Sequence, residues 1–415
     1  MAYVAVAGSC SNICLATLVA WRPKPLTPAA KARRAACGIR VVASALPSTH
    51  DAIAAAAAEL RDAAFQHIIA FFSSEHDLDV LIGELNAAFP ETPVSGCSTA
   101  GELGPLGMTQ GGIVLIAFPE AGFRVLSEVI KGIDEAGIER ASEIARRLKT
   151  QINLGSPTQA RDNVFALILI DGLSNKEEAL IAAIHWSLDN IELIGGSSGD
   201  GLAFQRTSMI HRNVPVRGGA ILFVIESDVP FAIFKTQNFE PTTTKLVVTR
   251  ADAENRIVYE LNAEPAAREY AQAIGLTPND LGPFSFASYP LVVRVGGDYY
   301  CRSIRNMNPD GSLSFFCAID EGLVFTVARP NDMVRSTQET LEDLDRRLGG
   351  TDFVLGFDCI LRRLDSESRQ VRHKVDELYH RYGVAGFHTY GEQFNAMHLN
   401  QTLTGIAFGK PDPRT

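Results

Sequence analysis

The sequence predicts an α+β protein of two domains, each with mixed or antiparallel sheet covered by helices. Three observations carry that expectation. The chain has 415 residues, beyond the roughly 250–300 at which a single hydrophobic core stops growing. Between residues 51 and 225, apolar runs of strand length alternate with runs of helical period. Beyond Asp228 the pattern becomes strand–turn–strand, closed by Gly-rich and Pro-Asp-Gly turns. The division therefore falls near 228, and a layered α–β–β–α arrangement would bury both sheet faces.

The elements follow in order. AIAAAAAELRDAAF (52–65) is Ala-rich and predicts a helix with Asp51 as its N-cap. HIIAFF (67–72) is a buried strand and DLDVLIGELNAAF (77–89) an amphipathic helix. Strands are predicted at 93–98, 113–118 and 164–170, with a helix at 135–150 between the last two. In DGLSNKEEALIAAIHWSL (171–188), Ser174 and Glu177 make a capping-box pattern ahead of an apolar periodic run. Strands at 191–196, 207–211 and 219–225 complete the first region. In the second, 246–261, 290–304 and 308–316 read as hairpins. A helix at 335–347, a strand at 353–361 and one long helix at 364–382 come next. Val371, Val375, Leu378 and Tyr382 form a single stripe on that helix. AMHLNQTLTGIAF (396–408) closes the chain as a strand.

Composition narrows the function. A formal charge of -10 without clustered Lys and Arg argues against a nucleic-acid surface. Seven cysteines, none in a CxxC pair, fit reduced thiols and a cytoplasmic protein. Residues 1–50 lack acidic side chains, and their basic residues follow the apolar stretch Ala2–Trp21, the reverse of a signal peptide. Gly8, Ser9, Ser11 and Asn12 interrupt that stretch, so no membrane span is expected.

GGSSGDG (195–201) matches G-x-S-x-G formally, but the helix that a nucleophile elbow requires after Ser197 is missing. A structural turn is the favoured reading, and no enzyme is expected from Ser197 or from Cys97. SGCSTAGEL (95–103) and IGGSSGDGL (194–202) echo one another as two comparable tight turns. In the closing strand, His398, Asn400, Thr402 and Thr404 alternate with Met397, Leu399 and Leu403. Two readings stay open there. The polar face is either the wet side of an amphipathic strand or a pocket wall carrying one imidazole, as a five-coordinate haem iron requires.

GCSTAGEL, DGLSNKEEAL, IGGSSGDGLAF, VPFAIFKTQNFEPTTTKLVVT, RIVYELNAEPAAREYA, YPLVVRVGGDYYCRSI, GFDCILRR and GFHTYGEQFNAMHLNQTLTGIAFG resemble, in this order, FIST domains. The resemblance implies an extension at 1–34, an N-terminal FIST domain at 35–228, a C-terminal FIST domain at 229–409 and a tail at 410–415. It is nearest in character to stand-alone bacterial nitric-oxide-sensing haem proteins. It implies a sensor with non-covalent haem b whose iron binds nitric oxide, signalling to a separate histidine kinase or cyclic-di-GMP enzyme. It involves neither nucleic acid nor membrane and admits a homo-oligomer. Carried onto this chain, it makes His398 the axial ligand, lined by Tyr390, Met397 and Asn400. His211 is the second choice, with Cys317 or Tyr390 behind it. The alternative within the same family is a module that binds a small organic ligand such as an amino acid.

Overall fold

The computed structural model describes residues 29–133, 135–154, 163–295 and 297–411. Its organising feature is one supersecondary unit used three times. Each unit runs strand, helix, strand, helix, strand, short hairpin, strand. The first spans Arg40–Ser44 to Ile113–Pro119 and the second Phe123–Lys131 to Gly219–Ser227. The third spans Phe231–Gln237 to Thr402–Gly409 and is interrupted after its first strand by a separate eight-stranded sheet.

The three main sheets share one strand order. In the first it is Arg40–Ser44, Ile113–Pro119, Phe65–Ser73, Val94–Thr99, then the hairpin Met209–His211/Val214–Val216, with Lys31–Arg34 added at the outer edge. In the second it is Phe123–Lys131, Gly219–Ser227, Val164–Ile170, Glu192–Ser197, then Glu392–Phe394/Met397–Leu399. In the third it is Phe231–Gln237, Thr402–Gly409, Thr351–Cys359, Val384–Thr389, then Glu102–Gly104/Gly107–Thr109. The two inner strands of each sheet are parallel, joined by the helical crossover that parallel pairing requires. Each terminal hairpin comes from a different unit, so the three sheets exchange hairpins in a closed cycle. Asp228 lies between the second and third units, and the exchanged hairpins bridge it: Glu102–Gly104 pairs with Val384–Thr389, and Glu392–Phe394 with Glu192–Ser197.

The apolar runs explain the arrangement. VFALILI and its counterparts are buried on both faces, as inner strands between two cores must be. One core lies between the three sheets and takes Phe71, Phe118, Phe165, Phe223, Phe357, Phe387 and Phe408 from all three units. Smaller cores lie outside each sheet under its helices, and the inserted sheet has its own around Tyr270, Phe286, Phe315 and Phe325. Mixed sheets covered by helices are thus as the sequence predicts.

Local details depart from expectation for identifiable reasons. The first helix is Thr49–Ala58, capped by Ser48 rather than Asp51, because the Ser48 hydroxyl accepts from the Asp51 N–H. Glu177–Leu188 has no side-chain cap. The helix starts at Glu177 with Lys176 at its N-cap position, so Ser174 lies outside it with its Oγ buried and unpartnered, and the Glu177 carboxylate is paired with Arg256. The long helix at 364–382 is two helices, Ile360–Ser368 and Arg372–Tyr382. Gln370 has φ 58°, and the Gln370 and Val371 N–H groups donate to Glu367 O and Ser366 O, which closes the first helix with a Schellman motif. The closing strand is also broken: Gln401 at φ 59° separates Met397–Leu399 from Thr402–Gly409. Residues 1–28 of the extension lie outside the described residues. Among the described residues no helix is long and apolar enough to cross a membrane.

Candidate functional site

The inner strands of the three units end at one place and bind each other there. The Gly199 and Gly201 N–H groups donate to Ser98 O (3.0 Å) and Thr99 O (3.2 Å). The Ala100 N–H donates to His388 O (2.9 Å) and the His388 N–H to Gly101 O (2.7 Å). Ser197 N–H donates to Gly391 O (2.8 Å) and Tyr390 N–H to Ser197 O (3.2 Å), which completes the ring. The two echoing turns are therefore partners, and a third copy closes the cycle. Residues 94–119 and 384–409 align without a gap, matching Val94/Val384, Gly96/Gly386, Thr99/Thr389, Gly101/Gly391, Glu102/Glu392 and Ile116-Ala117-Phe118/Ile406-Ala407-Phe408.

His398 sits on this ring and is not the wet side of a strand. It is 3% exposed, and Asn400, Thr402 and Thr404 are buried with it. The imidazole lies against Gly391, where a Cβ would stand 2.2 Å from Cε1. The Gln393 side-chain amide, 3.2 Å from Nδ1, also donates to Ser197 Oγ at 2.9 Å. His398 Nε2, Gln393 Oε1 and Asn400 Oδ1 are buried without hydrogen-bond partners. Three orphaned polar atoms on the hairpin Glu392–Phe394/Met397–Leu399 and the residue just after it mark a place where a polar group is missing.

Across from His398 the inserted sheet is clamped to the body. Arg256 Nη2 donates to Glu177 Oε2 (2.7 Å) and Glu178 Oε2 (2.5 Å), and the Ala318 N–H donates to Glu178 Oε1 (2.6 Å). Burial pushes the Glu178 carboxyl up, but His398, Arg256 and the Ala318 N–H outweigh it and leave it below the ordinary range. Tyr390, Phe204 and Phe316 stack across the same seam, with Tyr390–Phe204 centroids 4.8 Å apart. The Tyr390 hydroxyl donates to Asp200 and is pushed well above a phenol's usual pKa, mainly by burial.

Of the residues named from sequence, His398, Tyr390 and Asn400 come together, with Asn400 Nδ2 donating to Tyr390 O at 3.2 Å. Met397 is on the same strand, opposite Phe394, and its side chain alternates to the other face from His398. His211 belongs to another sheet, where it meets Ser127 Oγ at 3.1 Å and is held down to about 4 by burial and Arg212. Cys97 is fully buried in the central core, where burial raises its thiol well above its usual value. Gln393, expected beside His398 on the preceding turn, is there; sequence reasoning missed Glu178 and Arg305, which become neighbours of the site through docking of the inserted sheet.

Two of the ring's turns hold matching buried acids. Glu102 accepts from Thr99, Thr109 and the Gly112 N–H; Glu392 accepts from Thr389, the Thr402 hydroxyl and the Thr402 N–H. Burial nevertheless lifts Glu102 to about 7 and Glu392 to about 8, the hydroxyl and N–H donors only partly opposing it. Each acid then holds its proton in the folded state at pH values where the unfolded chain has lost it, so stability falls as pH rises from the ordinary carboxyl range through these values. The midpoint of thermal unfolding is expected to drop between pH 6 and pH 9, and Glu102→Gln/Glu392→Gln to flatten the drop. An unchanged slope in the double variant would show that these acids titrate normally.

A FIST N domain model matches residues 66–264, and a FIST C domain model matches residues 266–395. The boundary between the matches falls inside the inserted sheet. An uncharacterised protein of Methanocaldococcus jannaschii is 24% identical over 285 residues, covering 68% of this chain and 50% of that protein. The chain thus spans about half the length of this curated relative. With both matched models in their natural order over most of its length, the chain belongs to the FIST family of sensory signal-transduction modules.

Proposed function

We propose that this sensory module detects a small organic ligand bearing a carboxylate, such as an amino acid, at the seam between the body and the inserted sheet. Arg305 carries this reading. It is half-buried, its Nε donates to the adjacent Asn306 Oδ1 (3.2 Å), and among the described residues no carboxylate stands within ion-pair distance. Burial and the neighbouring Arg256 hold its pKa below the ordinary value, the condition a bound carboxylate relieves. Tyr390, which also influences Arg305, joins it to the orphaned atoms of Gln393, His398 and Asn400, suited to a ligand's polar groups. Glu178, at the clamp, gives binding a route to the inserted sheet. The output would pass to a separate histidine kinase or cyclic-di-GMP enzyme.

A second reading, haem b with His398 as axial ligand and nitric oxide as the signal, rests on the buried, unpartnered Nε2. Bound haem would supply an iron with an open face for a diatomic gas. The residues as arranged fit it poorly. Gly391 lies against the ring, its Cβ position only 2.6 Å from Nε2, so the nitrogen that iron would need is crowded by backbone.

Thermal unfolding with each amino acid, beside a hemin titration, separates the two. On the first reading, one amino acid at a hundredfold its Kd stabilises by about 2.7 kcal/mol, and Arg305→Ala abolishes the effect. No stabilisation by any amino acid, with a Soret band that shifts under nitric oxide and is lost in His398→Ala, would replace the first reading with the second.

A further inference from the structure

A separate feature on the inserted sheet has no role in the seam. Lys245, Arg294 and Arg302 converge on a cleft of about 510 Å³ whose remaining walls include Val293, Leu323 and Val324. Lys245 Nζ donates to Thr326 Oγ1 and lies 6.0 Å from the centroid of the Tyr299 ring, and Arg294 Cζ lies 5.9 Å from that same centroid. Two cations are thus gathered around one aromatic ring. Arg302 donates to Cys301 O at 3.3 Å. Among the described residues none of the three is in an ion pair. The one carboxylate on the cleft wall, Asp320, accepts the Glu321 N–H. Elsewhere on this sheet, Arg305 at the seam apart, cations are neutralised: Arg250 pairs with Glu260 (3.1 Å), Arg329 with Glu240 (2.5 Å) and Arg256 with Glu177 (2.7 Å).

An excess of positive charge in a concave site, on a chain of net charge -10, is unfavourable to assemble without a counter-charge. It also focuses its field on an incoming anion. The walls add a second requirement, because Val295 and Val324 are 52% and 49% exposed at the cleft. An ion with no apolar part would leave them in water.

We propose that this cleft is a second ligand site, for a small molecule that presents two or more anionic groups on an apolar or planar body. The guanidinium groups take phosphate or carboxylate oxygens, the Lys245 ammonium supplies a third positive contact, and the valines cover the body. Ala318 lines the cleft, and its N–H donates to Glu178 in the clamp, so the occupant adjoins the sensory seam through this one residue.

Calorimetric titration of the full chain tests this with ATP in EDTA, inorganic tripolyphosphate and citrate. Binding is expected at one site per chain with a Kd below about 1 mM. A preference for ATP over tripolyphosphate assigns phosphate on a planar body, and binding of citrate alone assigns the carboxylate class. Arg294→Glu, at an exposed position, is expected to weaken binding about tenfold or more, whereas Arg250→Glu, on the same sheet outside the cleft, leaves it unchanged. Failure of all three compounds to bind, or equal weakening by both variants, would overturn the assignment. Unfolding midpoints of both variants within a few degrees of the parent exclude misfolding as the cause of a loss.

Discussion

Alanine at Gly96, Gly195 or Gly386 is expected to destabilise the protein by about 3 kcal/mol or more at each position. The three glycines occupy the same place in the three units, on the second of the two parallel inner strands. Each faces its register partner on the first: Gly96 opposite Ala70, Gly195 opposite Ile168, Gly386 opposite Gly356. A Cβ would stand 1.7 Å from Ala70 O, 1.9 Å from Ile168 O and 1.8 Å from Gly356 O. Those atoms are backbone in strands buried on both sides, so neither a rotamer change nor a surface shift relieves the clash. Gly83, within the helix Leu78–Ala88, has nothing within 4 Å of its Cβ position. Gly83→Ala is therefore expected to stabilise by roughly 0.5–1 kcal/mol. Chemical denaturation of the four variants decides the matter. If any of the three strand variants unfolds at the parent's denaturant concentration, the units are not held together by this approach.

The same glycines show what could be read from the sequence. The strand periods of HIIAFF, IVLIAF and VFALILI were legible because inner strands are apolar throughout. The first two copies of the ring turn were visible as an echo, yet the closest match, 94–119 with 384–409, went unread. It lies across most of the chain, and the inserted sheet interrupts the third unit between Phe231–Gln237 and Met333–Arg347. Hairpin exchange was not legible at all. Glu102–Gly104 is too short to carry a pattern of its own, and its pairing with Val384–Thr389 is decided by the surrounding packing.

At the candidate site, the sequence draws attention to His398 through a local geometry that the structure does not keep. Strand alternation puts His398, Asn400, Thr402 and Thr404 on one face only if the strand is continuous. Gln401 breaks it, and the four side chains are nonetheless all buried, His398 in the borrowed hairpin and Thr402 and Thr404 in an inner strand of the third sheet. Arg305 and Arg256 gave no signal, since arginines in hairpins are ordinarily solvated. Only docking of the inserted sheet makes one a clamp and leaves the other without an acid.

That docking has a root, and Arg362→Met is expected to loosen it at a cost of about 3–5 kcal/mol. Arg362 is 1% exposed, and every nitrogen of its guanidinium is used. Nε donates to Asp358 Oδ1 (2.7 Å), Nη1 to Asn238 Oδ1 (2.7 Å) and Nη2 to Thr337 Oγ1 (3.0 Å). Asn238 stands where the chain leaves the body for the inserted sheet, and its carbonyl accepts the N–H of Asn331, where the chain returns. One side chain therefore ties both crossings to the helix Met333–Arg347 and to the strand that bears Asp358. Methionine keeps most of the volume but takes the paired guanidinium from buried Asp358, leaving it the Tyr379 hydroxyl at 2.8 Å, with His388 Nδ1 at 3.7 Å and Arg363 farther off. Asp358→Asn added to Arg362→Met removes that stranded charge, so the double variant is expected to recover part of the loss. The loss also has an address. Hydrogen exchange in Arg362→Met should quicken across 239–330 more than in the helices of the first unit, because the clamp at Arg256 is then the main charged tie left on the inserted sheet. Uniform acceleration over all three units would mean instead that Arg362 supports the body as a whole, and that the inserted sheet does not move as a unit of its own.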